Sequence, residues 1–542
     1  MGRSKAKQLS FITVPSQIIH PFSSSPFQGL LLSPKKSSRP QQLCCLLSAA
    51  KNTWSIILAL FFAFSLFGFI AIVLRLHFSP LSCATSGQDG SSKPSHPAET
   101  ATITMERQEQ WFWKQPAGMG YRPCLDFSGE YRRASQVIRR DHRRKYLMVV
   151  VSGGLNQQRN QIVDAVVIAR ILGAALVVPI LQVNVVWGDE SEFTDIFDLD
   201  HLKKTLADDV RVVSSLPSTH LMTRPVEEKK TPLHVSPQWI RSRYLRRLNR
   251  EGVLLLRGLD SRLSKDLPPD LQKLRCKVAF QALRFAAPIV ELGNKLAERM
   301  RSKGHPYLAL HLRMEKDVWV RTGCLPELSN EYDAMIHSER KLRPELLTAR
   351  SNMSNEERKL VGLCPFNALE VTRLLKALDV PRNTMIYWAG GEPLGGMAAL
   401  EPLKKEFPLL YNKENLSTPG ELEPFDRKAS LLAAIDYIVC EKSDVFMPSH
   451  GGNMGRMIQL VLMKGHRAFD GHKKFITPNK RHMLPYFLNT SLPETEFNKV
   501  VKELHQGSLG QPEFRTDKID RDVTAYPVPE CMCNSSSTMS AL

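Results

Sequence analysis

The sequence predicts an α/β protein of two Rossmann-like units in tandem, behind a single transmembrane helix and a stem. Two observations predict the units: strands alternate with helices, and in each unit a glycine-rich turn joins an apolar strand to a helix. A third observation, an uncharged apolar segment near the N-terminus, predicts the membrane helix. A length of 542 residues is sufficient for two folded domains and non-globular ends.

The first unit begins with a β-branched apolar run at 146–151, which is typical of a buried strand. A glycine turn at 152–156 follows, and then apolar residues recur at helical spacing until Gly173. The run 175–179 predicts a second strand. The order strand, glycine turn, helix, strand is the βαβ arrangement of nucleotide-binding folds.

The second unit repeats this alternation. We expect strands at 307–312, 384–388 and 445–447, helices at 367–378 and 427–440, a glycine loop at 448–453 and a further helix from about residue 454. The predicted organisation is a tail at 1–53, a membrane helix at 54–74, a stem and lead-in at 75–144, an N-terminal domain at 145–300, a C-terminal domain at 301–488 and a C-terminal tail at 489–542.

Charge near the N-terminus predicts the topology. Residues 54–74 form an uncharged stretch of 21 residues, long enough to cross a hydrocarbon core of about 30 Å. The preceding segment carries seven Lys or Arg residues, from Arg3 to Lys51, and neither Asp nor Glu. The positive-inside rule then places the N-terminus in the cytosol and the bulk of the chain in a lumen.

Composition excludes one class of function and favours an oxidising compartment. The net charge of +19 is not accompanied by a zinc-finger spacing, an RRM signature or a basic stripe with aromatics, so we expect no nucleic-acid partner. Eight cysteines follow the apolar segment, and some of them can pair in a lumen, although their connectivity cannot be read from spacing. Sequons on the same side are compatible with this topology: Asn352, Asn415, Asn489 and Asn534.

Three separate signatures, in order along the chain, resemble those of the plant O-fucosyltransferase family. They are Ser-Gly-Gly-Leu-Asn-Gln-Gln-Arg at 152–159 with 164–170, His-Leu-Arg-Met-Glu at 311–315 with Gly-Cys at 323–324, and 443–446 through His-Gly-Gly-Asn-Met at 450–454 with Gly-His-Arg at 465–467. The resemblance covers about residues 145 to 485.

The resemblance implies a GT-B fold, in which two Rossmann-like domains face each other across a cleft. It implies an inverting, metal-independent glycosyltransferase of the Golgi membrane, moving a deoxyhexose from a nucleotide sugar to a glycan or glycoprotein hydroxyl, with fucose from GDP-fucose favoured. Two alternatives stay open: transfer of rhamnose from UDP-rhamnose to pectin, and a catalytically silent Golgi scaffold for polysaccharide synthesis. No cofactor beyond the donor substrate is expected.

Arg313 is the first candidate catalytic residue, because it follows a predicted strand at the edge where α/β sheets place their sites. A guanidinium can hold a departing diphosphate through bidentate bonds. We expect His311 and Leu312 to contribute to substrate binding beside it. His311 shares the strand face of Arg313, although a core histidine has the same pattern.

The turn Gly153, Gly154 and Asn156 precedes a helix, where backbone amides suit a phosphate or a sugar hydroxyl. In the animal relatives of the family an Asn at the place of Asn156 positions donor and acceptor, so Asn156 is a candidate catalytic residue by resemblance. One branch of those enzymes carries a general-base Glu in this turn. Glycine stands there in this chain, so the base is open, with Asp164 a weak candidate.

A second glycine turn is predicted to bind the diphosphate. Its residues are Ser449, His450, Gly451, Gly452, Asn453 and Met454. The stretch after Asn453 is longer than the family pattern, which is expected to move Arg467 away from the donor. Asp198 and Asp200 spell the DxD of metal-dependent transferases, but the metal-independent resemblance favours no metal site.

Overall fold

The computed structural model describes residues 112–534 apart from gaps at 141–144, 185–186, 221–222, 224, 229–230, 260–262, 348–352, 449–457, 472, 490, 508–509 and 516–520. The described residues all belong to the second of the two units into which the chain divides, Met1–Pro94 and Ser95–Leu542. The first unit lies outside the described residues, so the tail 1–53 and the membrane helix 54–74 stay predictions. Within the described part, no helix combines the length and hydropathy needed to span a bilayer.

Two parallel sheets form the frame of the described part. The strands are β1 Tyr121–Pro123, β2 Tyr146–Val151, β3 Ala175–Val177, β4 Ile180–Leu181, β5 Val212–Val213, β6 Val226–Glu228, β7 Val253–Arg257, β8 Tyr307–His311, β9 Met385–Ala389, β10 Leu410–Tyr411, β11 Val445–Pro448, β12 Lys474–Phe475 and β13 Met532–Asn534. The first sheet has the order β5-β3-β2-β7-β6 with β4 also beside β2, and the second has the order β10-β9-β8-β11-β12. Every pairing within both sheets is parallel.

Helices cover the sheets, as crossovers between parallel strands require. The α-helices are α1 Gly129–Arg140, α2 Leu155–Leu172, α3 Phe193–Ile196, α4 Leu199–Thr205, α5 Pro237–Ile240, α6 Arg246–Glu251, α7 Pro269–Cys276, α8 Ala287–Lys303, α9 Lys316–Thr322, α10 Asn330–Leu342, α11 Asn355–Leu360, α12 Ala368–Ala377, α13 Glu401–Glu406, α14 Lys413–Leu416, α15 Ala429–Lys442, α16 Ile458–Phe469, α17 Lys480–Leu488 and α18 Glu494–His505. Two π-helical segments, Arg241–Leu245 and Lys277–Ala282, extend α5 and α7.

Local sequence explains the first βαβ unit. Strand β2 is buried over nearly its whole length, as expected for a central strand of a parallel sheet. Helix α2 begins after Gly154 and ends at Gly173, which adopts the left-handed conformation (φ 60°) that favours glycine at a helix C-terminus. The predicted strands at 146–151 and 175–179 and the stop at Gly173 are therefore found, with β3 two residues shorter than predicted.

The predicted strands and helices of the second unit are also present, with ends displaced by at most two residues, apart from the last helix, whose described part begins at Ile458. The fold is therefore α/β with parallel sheets, as the sequence predicts. The region predicted as a C-terminal tail contains helix α18 and strand β13, and β13 pairs antiparallel with β1. Phe497 and Val501 of α18 are fully buried, so this helix belongs to the core of the second sheet.

Among the described residues, three disulfide bonds join distant segments: Cys124–Cys533, Cys276–Cys531 and Cys324–Cys364. Cys124–Cys533 connects the lead-in to strand β13. Cys276–Cys531 connects helix α7 to the residue before that strand. Among the described cysteines, Cys440 is the one outside a disulfide, and it is buried.

Candidate functional site

A cavity of about 580 Å³ lies at the carboxyl ends of strands β8 and β9. It is lined by residues of both halves of the described fold, the first half being built on the first sheet and the second half on the second sheet. The first half contributes the turn before helix α2 and the loop after β4. The second half contributes the ends of β8 and β9 and the helices α14 and α15. A cleft beyond the carboxyl ends of parallel strands is where open α/β sheets bind their ligands.

The end of strand β8 supplies two of the predicted residues. His311 is the last residue of β8, and both it and Arg313 line the cavity. Between them, Leu312 is buried in the core, and its N–H donates to the carbonyl of Ala389 over 3.0 Å. The Leu312 side chain therefore packs away from the cavity, as strand alternation requires, and the predicted part of Leu312 in substrate binding stays a prediction.

The environment of His311 favours the neutral imidazole. Burial lowers its pKa to about 4, and the positive charge of Arg313 adds to this effect. At neutral pH the ring can therefore donate one hydrogen bond and accept another, without adding a positive charge beside the guanidinium.

The glycine turn before α2 forms the opposite wall. Gly154 and Asn156 line the cavity, whereas Gly153 does not. Gly153 has φ +91°, and a Cβ there would lie 2.4 Å from Oε1 of Gln157. That oxygen accepts the N–H of Gly154 over 3.1 Å. Gly153 therefore shapes the turn, whereas Gly154 and Asn156 line the cavity, and the predicted binding role of Gly153 stays a prediction.

A buried cluster that the sequence does not predict lies beneath the end of β9. Asp436 accepts hydrogen bonds from the hydroxyl of Tyr387 over 2.6 Å and from the ammonium of Lys413 over 3.1 Å. Burial raises the pKa of Asp436, and the nearby charge of Lys413 opposes that rise. Lys413 and Asp436 both line the cavity. A detectable signal was Gly390-Gly391 directly after a predicted strand, since this repeats the strand-to-glycine pattern of the other turns.

The sequence does not predict Trp187 as a site residue either. It lies on the loop after β4, lines the cavity and keeps about a third of its surface exposed, at 37%. Its backbone N–H donates to the carbonyl of Asn184, and Asn184 pairs with Asp189. The loop therefore presents an indole at the cavity from the first half of the fold.

Several other candidates lie away from the cavity. Asp164 is buried on helix α2, 3.6 Å from the guanidinium of Arg275, so it is part of an internal ion pair and not a surface carboxylate. Asp198 caps helix α4 by accepting the N–H of His201 over 2.9 Å. Neither these two residues nor Asp200 is among the cavity-lining residues of the described part.

The second predicted turn lies outside the described residues, so its role stays a prediction. It comprises Ser449, His450, Gly451, Gly452, Asn453 and Met454. The apolar stretch that follows belongs to helix α16, where Leu462 and Met463 are buried in the core and Met463 also lines the cavity.

Arg467 on helix α16 serves the fold. Its guanidinium donates to the hydroxyl of Ser443 and to five backbone carbonyls, over distances of 2.8–3.1 Å. The carbonyls belong to Cys440, Glu441, Ser443, Asp444 and Lys474. These groups surround the start of strand β11, the opposite end of the strand from the cavity edge. Arg467 therefore fixes the second sheet and is not among the described residues that line the cavity.

A parallel α/β frame with an arginine at the end of one strand and a glycine turn on the facing wall is compatible with a transferase that uses a nucleotide sugar. The chain matches the family described as GDP-fucose protein O-fucosyltransferase over residues 146–468. It is 62% identical to O-fucosyltransferase 20 of Arabidopsis thaliana over 97% of this chain and 96% of that protein. It is 70% identical to O-fucosyltransferase 24 of Arabidopsis thaliana over 79% of this chain and 72% of that protein.

The chain therefore belongs to the O-fucosyltransferase family, and it is a glycosyltransferase. Among solved structures, it is similar to POFUT1 in complex with GDP-fucose, with 13% identity, a TM-score of 0.38, and coverage of 62% of this chain and 99% of that one. It is also similar to the NodZ alpha-1,6-fucosyltransferase soaked with GDP-fucose, with 12% identity, a TM-score of 0.34, and coverage of 62% and 96%.

Proposed function

We propose that this enzyme transfers fucose from GDP-fucose to a hydroxyl of a glycan or glycoprotein, with inversion, in a GT-B arrangement of its two sheets. The family description names GDP-fucose as donor. The observation that carries the proposal is the position of Arg313 in a cavity lined from both halves of the fold. The carboxyl edge of the second sheet takes the nucleotide diphosphate, and the turn containing Asn156 approaches from the other side.

Arg313 stabilises the leaving group in this proposal. When the bond between sugar and diphosphate breaks, negative charge grows on the diphosphate oxygens. A guanidinium fixed beside them interacts more strongly with this state than with the intact donor, which lowers the barrier. The neutral imidazole of His311 can orient the donor without competing for its charge.

We further propose that the reaction needs no metal ion. Arg313 brings a guanidinium to the cavity lining, and the first residues of helix α2 line the same cavity, where the helix N-terminus favours an anion. Asp198 has a separate task as a helix cap, and both carboxylates of the DxD lie away from the cavity lining that is described.

The proposed location is the Golgi membrane, with one transmembrane helix at 54–74 and the catalytic part in the lumen. The uncharged segment and the acid-free basic tail support this topology. The three disulfide bonds also support it, because such bonds persist in an oxidising lumen.

Donor binding and hydrolysis test the proposal on the detergent-solubilised full chain. GDP and GDP-fucose are expected to raise the melting temperature, and GDP-fucose to be hydrolysed slowly, because a ligand that binds the folded state stabilises it. Stabilisation by UDP, together with hydrolysis of UDP-rhamnose, would instead identify UDP-rhamnose as the donor. An absence of both effects with every donor would favour the scaffold.

A further inference from the structure

We propose that Glu315 is a positioning residue, which holds the guanidinium of Arg313 in the orientation that the departing diphosphate requires. The inference rests on the proposed function, in which Arg313 contacts the donor. Glu315 acts on the reaction through Arg313 and through the glycine turn at the end of β9.

Glu315 joins the ends of two neighbouring strands. Its Oε2 lies 3.3 Å from Nε of Arg313, and its Oε1 accepts the backbone N–H of Gly391 over 3.0 Å. Arg313 follows β8 and Gly391 follows β9, so one carboxylate bridges the two strand ends at the cavity. Each oxygen of the carboxylate therefore has its own partner, and these two contacts fix the orientation of the side chain.

The carboxylate bridges these groups although a local partner is available. Glu315 is the residue that caps the N-terminus of helix α9, yet its side chain makes no capping hydrogen bond to that helix. The side chains that usually accept a helix N–H at this position are the shorter ones of Ser, Thr, Asp and Asn. The longer side chain of Glu315 instead reaches Arg313 and Gly391, where it organises the cavity.

Close packing of the two strand ends makes the bridge possible. A Cβ on Gly390 would lie 2.5 Å from the carbonyl oxygen of Leu312, and Gly390 has φ +140°. A Cβ on Gly391 would lie 3.1 Å from Cγ of Glu315. Only glycine lets the turn after β9 approach closely enough for the Gly391 N–H to reach the carboxylate.

The buried cluster beneath the turn keeps this partner in place. Lys413 donates to the carbonyl of Gly390 over 2.7 Å, and Asp436 accepts the N–H of Gly390 over 3.2 Å. The peptide groups on both sides of Gly390 are thus anchored to the core. Gly391 then offers its N–H from a fixed position, and Glu315 transmits that position to Arg313.

The charge state of Glu315 agrees with this geometry. Burial raises the pKa of the carboxyl, but the charge of Arg313 and the N–H of Gly391 outweigh burial, so the net pKa lies below its usual value. The carboxylate is ionised at neutral pH. An ionised oxygen beside Nε restricts the rotation of a long side chain that otherwise samples many rotamers.

A double-mutant cycle tests the inference on the detergent-solubilised full chain. The proteins are wild type, Glu315→Gln, Arg313→Ala and the double variant, and the readouts are kcat and KM for GDP-fucose hydrolysis, GDP affinity and melting temperature. Glu315→Gln is expected to lower kcat by roughly 10- to 100-fold in the wild-type background. In the Arg313→Ala background it is expected to change kcat by less than about twofold, because the residue that it positions is already gone.

Two further variants keep the result interpretable. Gly391→Ala displaces Glu315 without removing its charge, and it is expected to reproduce the non-additive loss. Glu339→Gln removes a carboxylate that pairs with the adjacent Lys316 but does not contact Arg313, and it is expected to leave kcat unchanged. Equal losses from Glu315→Gln in both backgrounds, or normal kcat in Glu315→Gln, would overturn the inference. Normal kcat and GDP affinity in Arg313→Ala would instead overturn the proposed role of Arg313 and remove the basis of the inference.

Discussion

The carboxylate of Asp189 accepts a hydrogen bond of 2.6 Å from the backbone N–H of Ser430, which lies 241 residues further along the chain. Asp189 belongs to the loop after strand β4 of the first sheet, and Ser430 lies in the first turn of helix α15, which packs on the second sheet. The other oxygen of Asp189 accepts both the N–H and the hydroxyl of Ser191. One buried carboxylate thus connects the two halves beside the cavity.

Loss of this connection is expected to destabilise the protein. Asp189→Ala leaves the N–H of Ser430 and two groups of Ser191 without their acceptor, so the free energy of unfolding should fall by about 2–4 kcal/mol. Calorimetry of the full chain measures this as a melting temperature several degrees lower. The exposed Asp200→Ala serves as the matched control and should change little. An unaltered melting temperature in Asp189→Ala would show that this contact does not hold the two halves together.

The DxD residues give a prediction about metal. Asp198→Ala removes a helix cap and should cost about 1 kcal/mol of stability, while both Asp198→Ala and Asp200→Ala should keep normal turnover. EDTA should leave GDP-fucose hydrolysis intact. The metal-independent proposal fails if EDTA abolishes turnover, Mn²⁺ restores it, and Asp198→Ala no longer responds to Mn²⁺.

The sequence predicts the fold where the signal is local. Strand β2 is a continuous apolar run, and Gly154 and Gly173 mark the two ends of helix α2, so this unit can be placed almost residue by residue. Strands β4 and β5 contain two residues each, which is too short for any hydrophobic period to register. Their place in the sheet is set by pairing with β2 and β3 rather than by their own composition.

The residues of the candidate site also fall into two groups, those that a local signature predicts and those that only the fold brings together. His311, Arg313 and Asn156 follow from signatures that lie at strand ends or helix starts. Lys413 and Asp436 do not, because neither belongs to a glycine turn or a strand end, and only the order β10-β9-β8 brings their helices beneath the turn after β9. The pairing of the cysteines is likewise set by the fold and not by spacing along the sequence, since Cys124 and Cys533 are 409 residues apart.

The shifted pKa of His311 predicts a pH dependence of stability. The folded value of about 4 lies below the unfolded value near 6.5. Between these values the unfolded state binds more protons, so the free energy of unfolding rises with pH. The contribution of His311 is complete above about pH 6.5 and is lost as the pH falls toward 4.

Melting temperatures of wild type and His311→Gln at pH 7 and pH 5 isolate this contribution from those of other groups. Wild type should lose about 2 kcal/mol more stability than His311→Gln over this interval, because glutamine does not titrate. Parallel losses in the two proteins would mean that His311 titrates normally in the folded state, and that the ring is not held neutral by burial.

The last prediction compares two arginines, one expected to act in catalysis and the other in folding. Arg313 lines the cavity, and Arg467 holds the start of strand β11 through backbone carbonyls with only 1% of its surface exposed. Lysine keeps the charge of each residue but cannot reproduce the planar fork of donors. The same substitution should therefore damage different properties at the two positions.

Arg313→Lys should lower turnover on GDP-fucose by roughly 100-fold or more, equivalent to about 3 kcal/mol of transition-state stabilisation, with a melting temperature near that of wild type. Arg467→Lys should lower the stability by about 3 kcal/mol or more, because several buried carbonyls lose their donor, while the turnover per folded molecule stays normal. Turnover and melting temperature are measured on the same preparation of each variant. A folded Arg313→Lys protein with normal turnover would remove this guanidinium from the mechanism, because its planar geometry, rather than its charge, distinguishes it from lysine.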